Sequence, residues 1–169
     1  MKPLHIFLIG LAVILLSIIL YFIFRKRKIK HTYSKIHCIM TNTELTYYDA
    51  FVKILSGTNY ILHYQTPLSA IVKRNEPHSF QPELSRVIDF CILSYDFTPL
   101  LCIEINDRTH LMKHRIERDE KVKAILKSAK IPLLTIWTTE TFDIKIFAAK
   151  IRDFGIKLDI RKINNEFKR

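Results

Sequence analysis

The chain has 169 residues, 49% of them hydrophobic, and a formal net charge of +11. That length allows one domain with its own core beside a short extra segment. Three cysteines without a C-x-x-C pair, and only three glycines, exclude a zinc ribbon and a glycine-rich phosphate loop.

The first element is apolar. No charged residue occurs between Leu4 and Phe24, and a run of that length crosses the ~30 Å hydrocarbon core of a bilayer as a helix. A cleaved secretory signal fits less well, because the run is too long and no small-x-small site follows it. Instead the cluster Arg25-Lys26-Arg27-Lys28 comes next. By the positive-inside rule it holds the rest of the chain in the cytoplasm, which predicts a single-pass anchor in the cell (inner) membrane. Residues 1–30 carry +6 and no acid, so residues 31–169 carry +5. A domain of that charge is compatible with a nucleic-acid partner and does not require one.

Residues 25–40 read as a basic juxtamembrane tether. Thr41-Asn42-Thr43-Glu44 reads as a capping box, and Leu45, Tyr48, Val52 and Leu55 recur behind it at helical spacing until Gly57. Residues 60–64 form a strand candidate, and residues 67–72 fit either a second strand or a helical turn. The prolines and polar residues of 75–82 mark a loop.

Two short β-branched runs follow, 87–93 and 100–105, separated by the turn residues 95–98, and predict a hairpin. With the turn centred on Asp96-Phe97, paired residue numbers sum to 193, which sets Asp89 opposite Glu104 and Cys91 opposite Cys102. Alternation then gathers Asp89, Cys91, Cys102, Glu104 and Asn106 on one face and Ile88, Phe90, Ile92, Ile103 and Ile105 on the other. Opposed carboxylates among apolar neighbours must share a proton, find cations or bind a metal, and a hard oxygen-seeking ion such as Mg²⁺ is the simplest solution. A solvated face salt-bridged to lysines is the alternative. In a reducing compartment the two cysteines are expected to be packed thiols.

A helix is predicted over about 112–129, with Val122, Ile125, Leu126 and Ala129 inward and Asp119 towards the same side. Residues 133–137 form the next strand, parallel to 100–105 because a helix intervenes. A helix over 142–154 closes the domain with Ile144, Phe147, Ala148 and Ile151 on one stripe, and the basic tail 157–169 has little to pack.

Taken in order, the segments T-N-T-E-L-T-Y-Y, V-I-D-F, L-L-C-I-E-I-N-D-R-T-H, R-I-E-R-D and A-K-I-P-L-L resemble a domain family of unknown function, number 2726 in that series. It looks like a branch of the PD-(D/E)XK, restriction-endonuclease-like superfamily, and the resemblance covers residues 41–137. It implies an α/β domain over 41–156 with an αβββαβ core, a mixed sheet flanked by helices and a metal-dependent phosphodiesterase site. By position Asp89 and Glu104 match the two carboxylates that hold Mg²⁺ or Mn²⁺. Glu44 matches the acidic residue of the first helix, with a plain capping role as its alternative. His110 matches the histidine after the E-x-D-D-x-x-H type motif, against an exposed loop histidine. Arg118 and Asp119 match an R-D pair on the crossover helix, where Asp119 would sit behind the ligands, against a surface salt bridge.

Two departures stand out. Asn106 occupies the place of the superfamily's lysine, and Thr135 the place of an arginine; Lys113, Lys121 and Lys123 are candidates for a displaced positive charge. The expected function is a membrane-anchored, Mg²⁺-dependent nuclease acting on DNA or RNA, with no haem, nucleotide cofactor or zinc. Its alternatives are a weakened nuclease-fold module binding nucleic acid or protein, and a membrane adaptor. Salt dependence separates phosphate binding from the last of these.

Overall fold

Residues 87–106 form the hairpin at the centre of a four-stranded sheet, in a computed structural model that describes residues 3–24, 32–75, 82–107 and 113–159. The chain divides into two compact units, Met1–His37 and Cys38–Arg169.

The first unit contains helix α1 (Pro3–Phe24), whose described side chains are all exposed. It is long and apolar enough to cross a membrane. The basic cluster Arg25, Lys26, Arg27 and Lys28 lies outside the described residues.

The second unit runs α2 (Asn42–Leu55), β1 (Ile61–Pro67), α3 (Leu68–Ile71), β2 (Val87–Leu93), β3 (Pro99–Asn106), α4 (Lys113–Ser128), β4 (Leu133–Trp137) and α5 (Ile144–Asp153). The strands lie in the order β1-β2-β3-β4. The first two pairings are antiparallel and β3–β4 is parallel, as a strand–helix–strand connection requires. Segment 67–72 divides between the two states its sequence allowed. Pro67 ends β1 and, with φ preset near −65°, opens the single turn of α3. Of the loop over 75–82, residues 76–81 lie outside the described residues, and a 3₁₀ turn at Pro82–Ser85 leads into β2.

The hairpin reaches the expected register by a different route. Its turn spans three residues rather than two: Phe97 N donates to Ser94 O, Ser94 N donates to Thr98 O, and Phe97 takes a left-handed φ of 64°. That is a type I turn closed by one αL residue. Near the turn Leu93 therefore pairs with Pro99, one residue out of step. A bulge between Ile92 and Leu93 absorbs Leu100, and Ile92↔Leu101, Cys91↔Cys102 and Phe90↔Ile103 follow in the expected register.

Two clusters cover the two faces of the sheet. On one, Phe90, Ile92, Leu101, Ile103, Leu134 and Ile136 pack under α2 and α5. On the other, Cys91, Cys102 and Leu93 pack with Val122 and Leu126 of α4 and with Leu68. Ile88, expected beside Phe90, joins this second cluster where β1 kinks at Gln65, whose φ is 48°.

The capping box forms as expected: Thr41 N donates to Glu44 Oε2 at 2.6 Å, and Glu44 N donates to Thr41 Oγ1 at 3.2 Å. The buried stripe of α2 is nevertheless Tyr47, Ala50, Phe51, Ile54 and Leu55, while Leu45 and Val52 are exposed. Both stripes have helical spacing; the one with Phe51 and Ile54 brings more apolar surface to the core. In α4, Val122 and Leu126 are buried and Ile125 half-buried as predicted, whereas Ala129 falls past the helix end and is exposed. There Ile131 N donates to Leu126 O, Lys130 N donates to Lys127 O, and Lys130 adopts φ 58°. This is a Schellman stop with lysine in the usual glycine place. The closing helix matches its predicted stripe: Phe147, Ala148 and Ile151 are buried, and Asp143 caps it by accepting from Lys145 N.

Candidate functional site

The end of the hairpin remote from its turn, together with β4 and the start of α4, encloses a cavity of about 180 Å³. Each wall has a separate origin. Glu104 and Asn106 come from β3, Thr135 from β4, and Arg118, Asp119, Val122 and Lys123 from α4. Arg86, the residue just before β2, closes the remaining side. Glu104 pairs with Thr135 and Asn106 with Trp137 in the parallel ladder, so the chain positions Glu104, Asn106 and Thr135 through backbone alone.

Asp89 sits beside this cavity. Its carboxylate Oδ2 accepts a hydrogen bond of 2.7 Å from Ile105 N, so it bridges β2 to β3 where the register continues towards Glu104. The side chain takes the donor that a strand carbonyl would otherwise have used. Beyond this point the two strands no longer pair through their backbones. This bond ties one carboxylate oxygen of Asp89 to β3.

Glu104 is the electrostatic centre. Its carboxyl is pushed up to about 8, first by burial and then by the charges of Asp89 and Asp119; Arg118 opposes the shift and Glu44 adds to it. Three other carboxylates within electrostatic reach of one half-buried carboxyl is an arrangement that a cation relieves. Among the described residues no three His, Cys, Asp or Glu side chains come together as a metal cage. The donor set fits Mg²⁺, which binds through one or two carboxylates and keeps its waters, better than a metal that wants a closed cage.

The remaining predicted residues separate clearly. Both oxygens of Glu44 are engaged, Oε2 by Thr41 N and Oε1 by Gln65 Nε2 at 3.3 Å, so the capping role occupies this side chain. Arg118 Nε pairs with Asp119 Oδ1 at 3.2 Å, and both line the cavity. Asn106 is buried, with 8% of its surface exposed. His110 lies outside the described residues, as does the side chain of Lys113. Lys121 pairs with Glu83 at 3.6 Å and is not among the cavity residues, whereas Lys123 lines the cavity while bonding Glu120 at 2.8 Å.

Sequence reasoning missed Arg86. Among the described residues its Nε is the one buried side-chain nitrogen or oxygen without a hydrogen-bond partner. The local pattern carried no signal for it, because Arg86 precedes the strand and the cavity it lines is closed by α4 and β4.

Beneath the site Cys91 and Cys102 face each other, fully buried and both free. The hydrogen bond with Cys91, and then burial, hold the Cys102 thiol above its ordinary value, in keeping with packed thiols.

A family model described as "Protein of unknown function (DUF2726)" matches residues 36–154. No curated protein and no solved structure matches the chain.

Proposed function

The chain belongs to that DUF2726 family, and on this premise we propose that it is a membrane-anchored, Mg²⁺-dependent nuclease of PD-(D/E)XK type. In this reading α1 anchors it as a single-pass helix, and the domain after it hydrolyses phosphodiester bonds of DNA or RNA at the cytoplasmic face. The observation that carries the reading is Glu104: a half-buried carboxyl, raised to about 8 by burial and by Asp89 and Asp119, on the wall of a cavity. The element order supports it: apart from the single turn of α3 and a 3₁₀ turn between β1 and β2, α2-β1-β2-β3-α4-β4 follows the expected αβββαβ core.

Asp89 and Glu104 would hold the ion, whose chemistry is to activate a water and polarise the scissile phosphate. The chain supplies the rest. The Ile105 amide fixes the Asp89 carboxylate in one orientation, so little order has to be imposed when the ion binds. Arg118, paired with Asp119, keeps a positive charge beside Glu104. The cavity walls from α4 and β4 flank the space a phosphate would occupy.

Asn106 in place of the usual lysine favours a second reading, a domain of nuclease ancestry that binds nucleic acid without cutting it. One experiment separates the two. The full chain in lipid nanodiscs is titrated with Mg²⁺ and Mn²⁺ by calorimetry, as wild type and as Asp89→Ala and Glu104→Ala, then assayed on single- and double-stranded oligonucleotides. The nuclease reading expects binding lost in both variants and metal-dependent cleavage by wild type. Wild-type chain that binds no divalent ion at millimolar concentration sinks it. Metal binding with salt-sensitive oligonucleotide binding and no cleavage supports the second reading.

A further inference from the structure

We propose that Arg86 is the phosphate-binding residue of this cavity, supplying the positive charge that Asn106 and Thr135 do not. The inference rests on the nuclease reading for its substrate, a nucleic-acid phosphodiester, but the anion site itself stands on separate observations.

Among the described residues three cations line the cavity, and two of them are paired with carboxylates. Arg118 is bonded to Asp119 and Lys123 to Glu120. The Arg86 Nε is buried and has no partner. A buried guanidinium nitrogen left unbonded is costly, and it persists where a ligand completes it. Arg86 is also held firmly at its backbone: Arg86 N donates to Glu83 O at 3.2 Å, and Arg86 O accepts from Leu68 N at 2.8 Å. Its side chain therefore starts from a fixed point at the mouth of β2.

The chemistry matches a tetrahedral oxyanion. A guanidinium offers a planar fork of donors suited to two phosphate oxygens, which an ammonium cannot reproduce. The lining also carries Glu104 and Asp119, and a divalent ion on Glu104 would turn these carboxylates from repelling an anion to attracting one. Thr135, the ladder partner of Glu104, offers a hydroxyl in the same space. The cavity of about 180 Å³ has room for a phosphoryl group with its waters.

The test uses the full chain in nanodiscs with inorganic phosphate as the probe, in the presence of Mg²⁺, followed by ³¹P line broadening and calorimetry. Arg86→Gln keeps the stem and removes the charge; Arg86→Lys keeps a charge without the fork. The expected result is a loss of about tenfold or more in phosphate affinity for Gln, with a smaller loss for Lys and unchanged Mg²⁺ affinity in both. Circular dichroism establishes that each variant is folded, and addition of free guanidinium to Arg86→Gln is expected to restore part of the binding. Phosphate bound equally by wild type and Arg86→Gln, or by neither, overturns the proposal. An oligonucleotide arm separates it from the broader reading. Arg86-dependent phosphate binding that a competing oligonucleotide displaces assigns the site to nucleic acid. Arg86-dependent binding without displacement or cleavage keeps the anion site and removes the nuclease.

Discussion

On the sheet face covered by α2 and α5, Phe51, Phe90 and Phe147 are fully buried. Phe51 meets Phe90 edge to face at 5.3 Å, and Tyr47 meets Phe147 at 5.5 Å. On the face covered by α4, small and aliphatic residues such as Cys91, Cys102, Val122 and Leu126 pack the floor, and at the strand ends they give way to Glu104, Asn106 and Asp119. Among the described residues the first face leaves no buried side-chain nitrogen or oxygen without a partner. The second keeps a raised carboxyl and an unpartnered guanidinium nitrogen in the lining of one cavity. Stability is concentrated on one face, so that the other can tolerate groups that only a ligand would satisfy.

The contrast makes ordered predictions. The largest effect belongs to the aromatic face. Phe51→Ala is expected to lower unfolding free energy by about 3–5 kcal/mol in urea titration, with Mg²⁺ affinity unchanged in the protein that remains folded. A Mg²⁺ affinity that falls in step with stability would break the division between the two faces.

Glu104→Gln is expected to work in the opposite direction on stability. The folded carboxyl holds its proton up to about 8, whereas its ordinary value is 4.5. Between those values the native state binds more protons than the unfolded state, so stability without metal falls as pH rises from about 4.5 to about 8. Removing the charge should abolish that decline, a gain of about 2–4 kcal/mol at pH 8 once partial exposure is allowed for. Saturating Mg²⁺ should flatten the same decline in wild type and do nothing for Glu104→Gln. Thermal melts across pH, with and without Mg²⁺, read all three.

A pair of substitutions at Asp89 sharpens the comparison further. Asp89→Asn retains an oxygen that can accept from Ile105 N and should cost less than about 1 kcal/mol while weakening metal binding. Asp89→Ala leaves that amide unsatisfied and should cost about 1–3 kcal/mol. Equal destabilisation by both would mean that the bridge to β3 contributes nothing.

The smallest effect is expected at the cap. Thr41→Ala removes the bond to Glu44 N and should cost about 1 kcal/mol by denaturant titration. It loosens the box that occupies Glu44 Oε2, and Mg²⁺ affinity should stay as in wild type. A rise in affinity would bring Glu44 into the metal site.

Local periodicity and short-range chemistry were enough to identify the apolar helix at 3–24, the capping box, the hairpin with its opposed cysteines, the strand–helix–strand unit and the stripe of α5, because each depends on residues close in the chain. Periodicity pointed to Leu45, Tyr48, Val52 and Leu55 in α2, and the sheet, by offering a hydrophobic surface to Phe51 and Ile54, buried a different stripe. The hairpin turn shows the same limit. Its three residues and the bulge at Leu100 cancel each other, so the register was right although the turn was not. The carboxylates Asp89 and Glu104 were legible because one alternation and one turn bring them together. Arg86 was not, since the cavity it lines is closed by residues of α4 and β4, far along the chain. Whether a guanidinium is solvated, paired or left without a partner depends on which distant elements close around it, and that is decided when β4 and α4 pack against the strand ends.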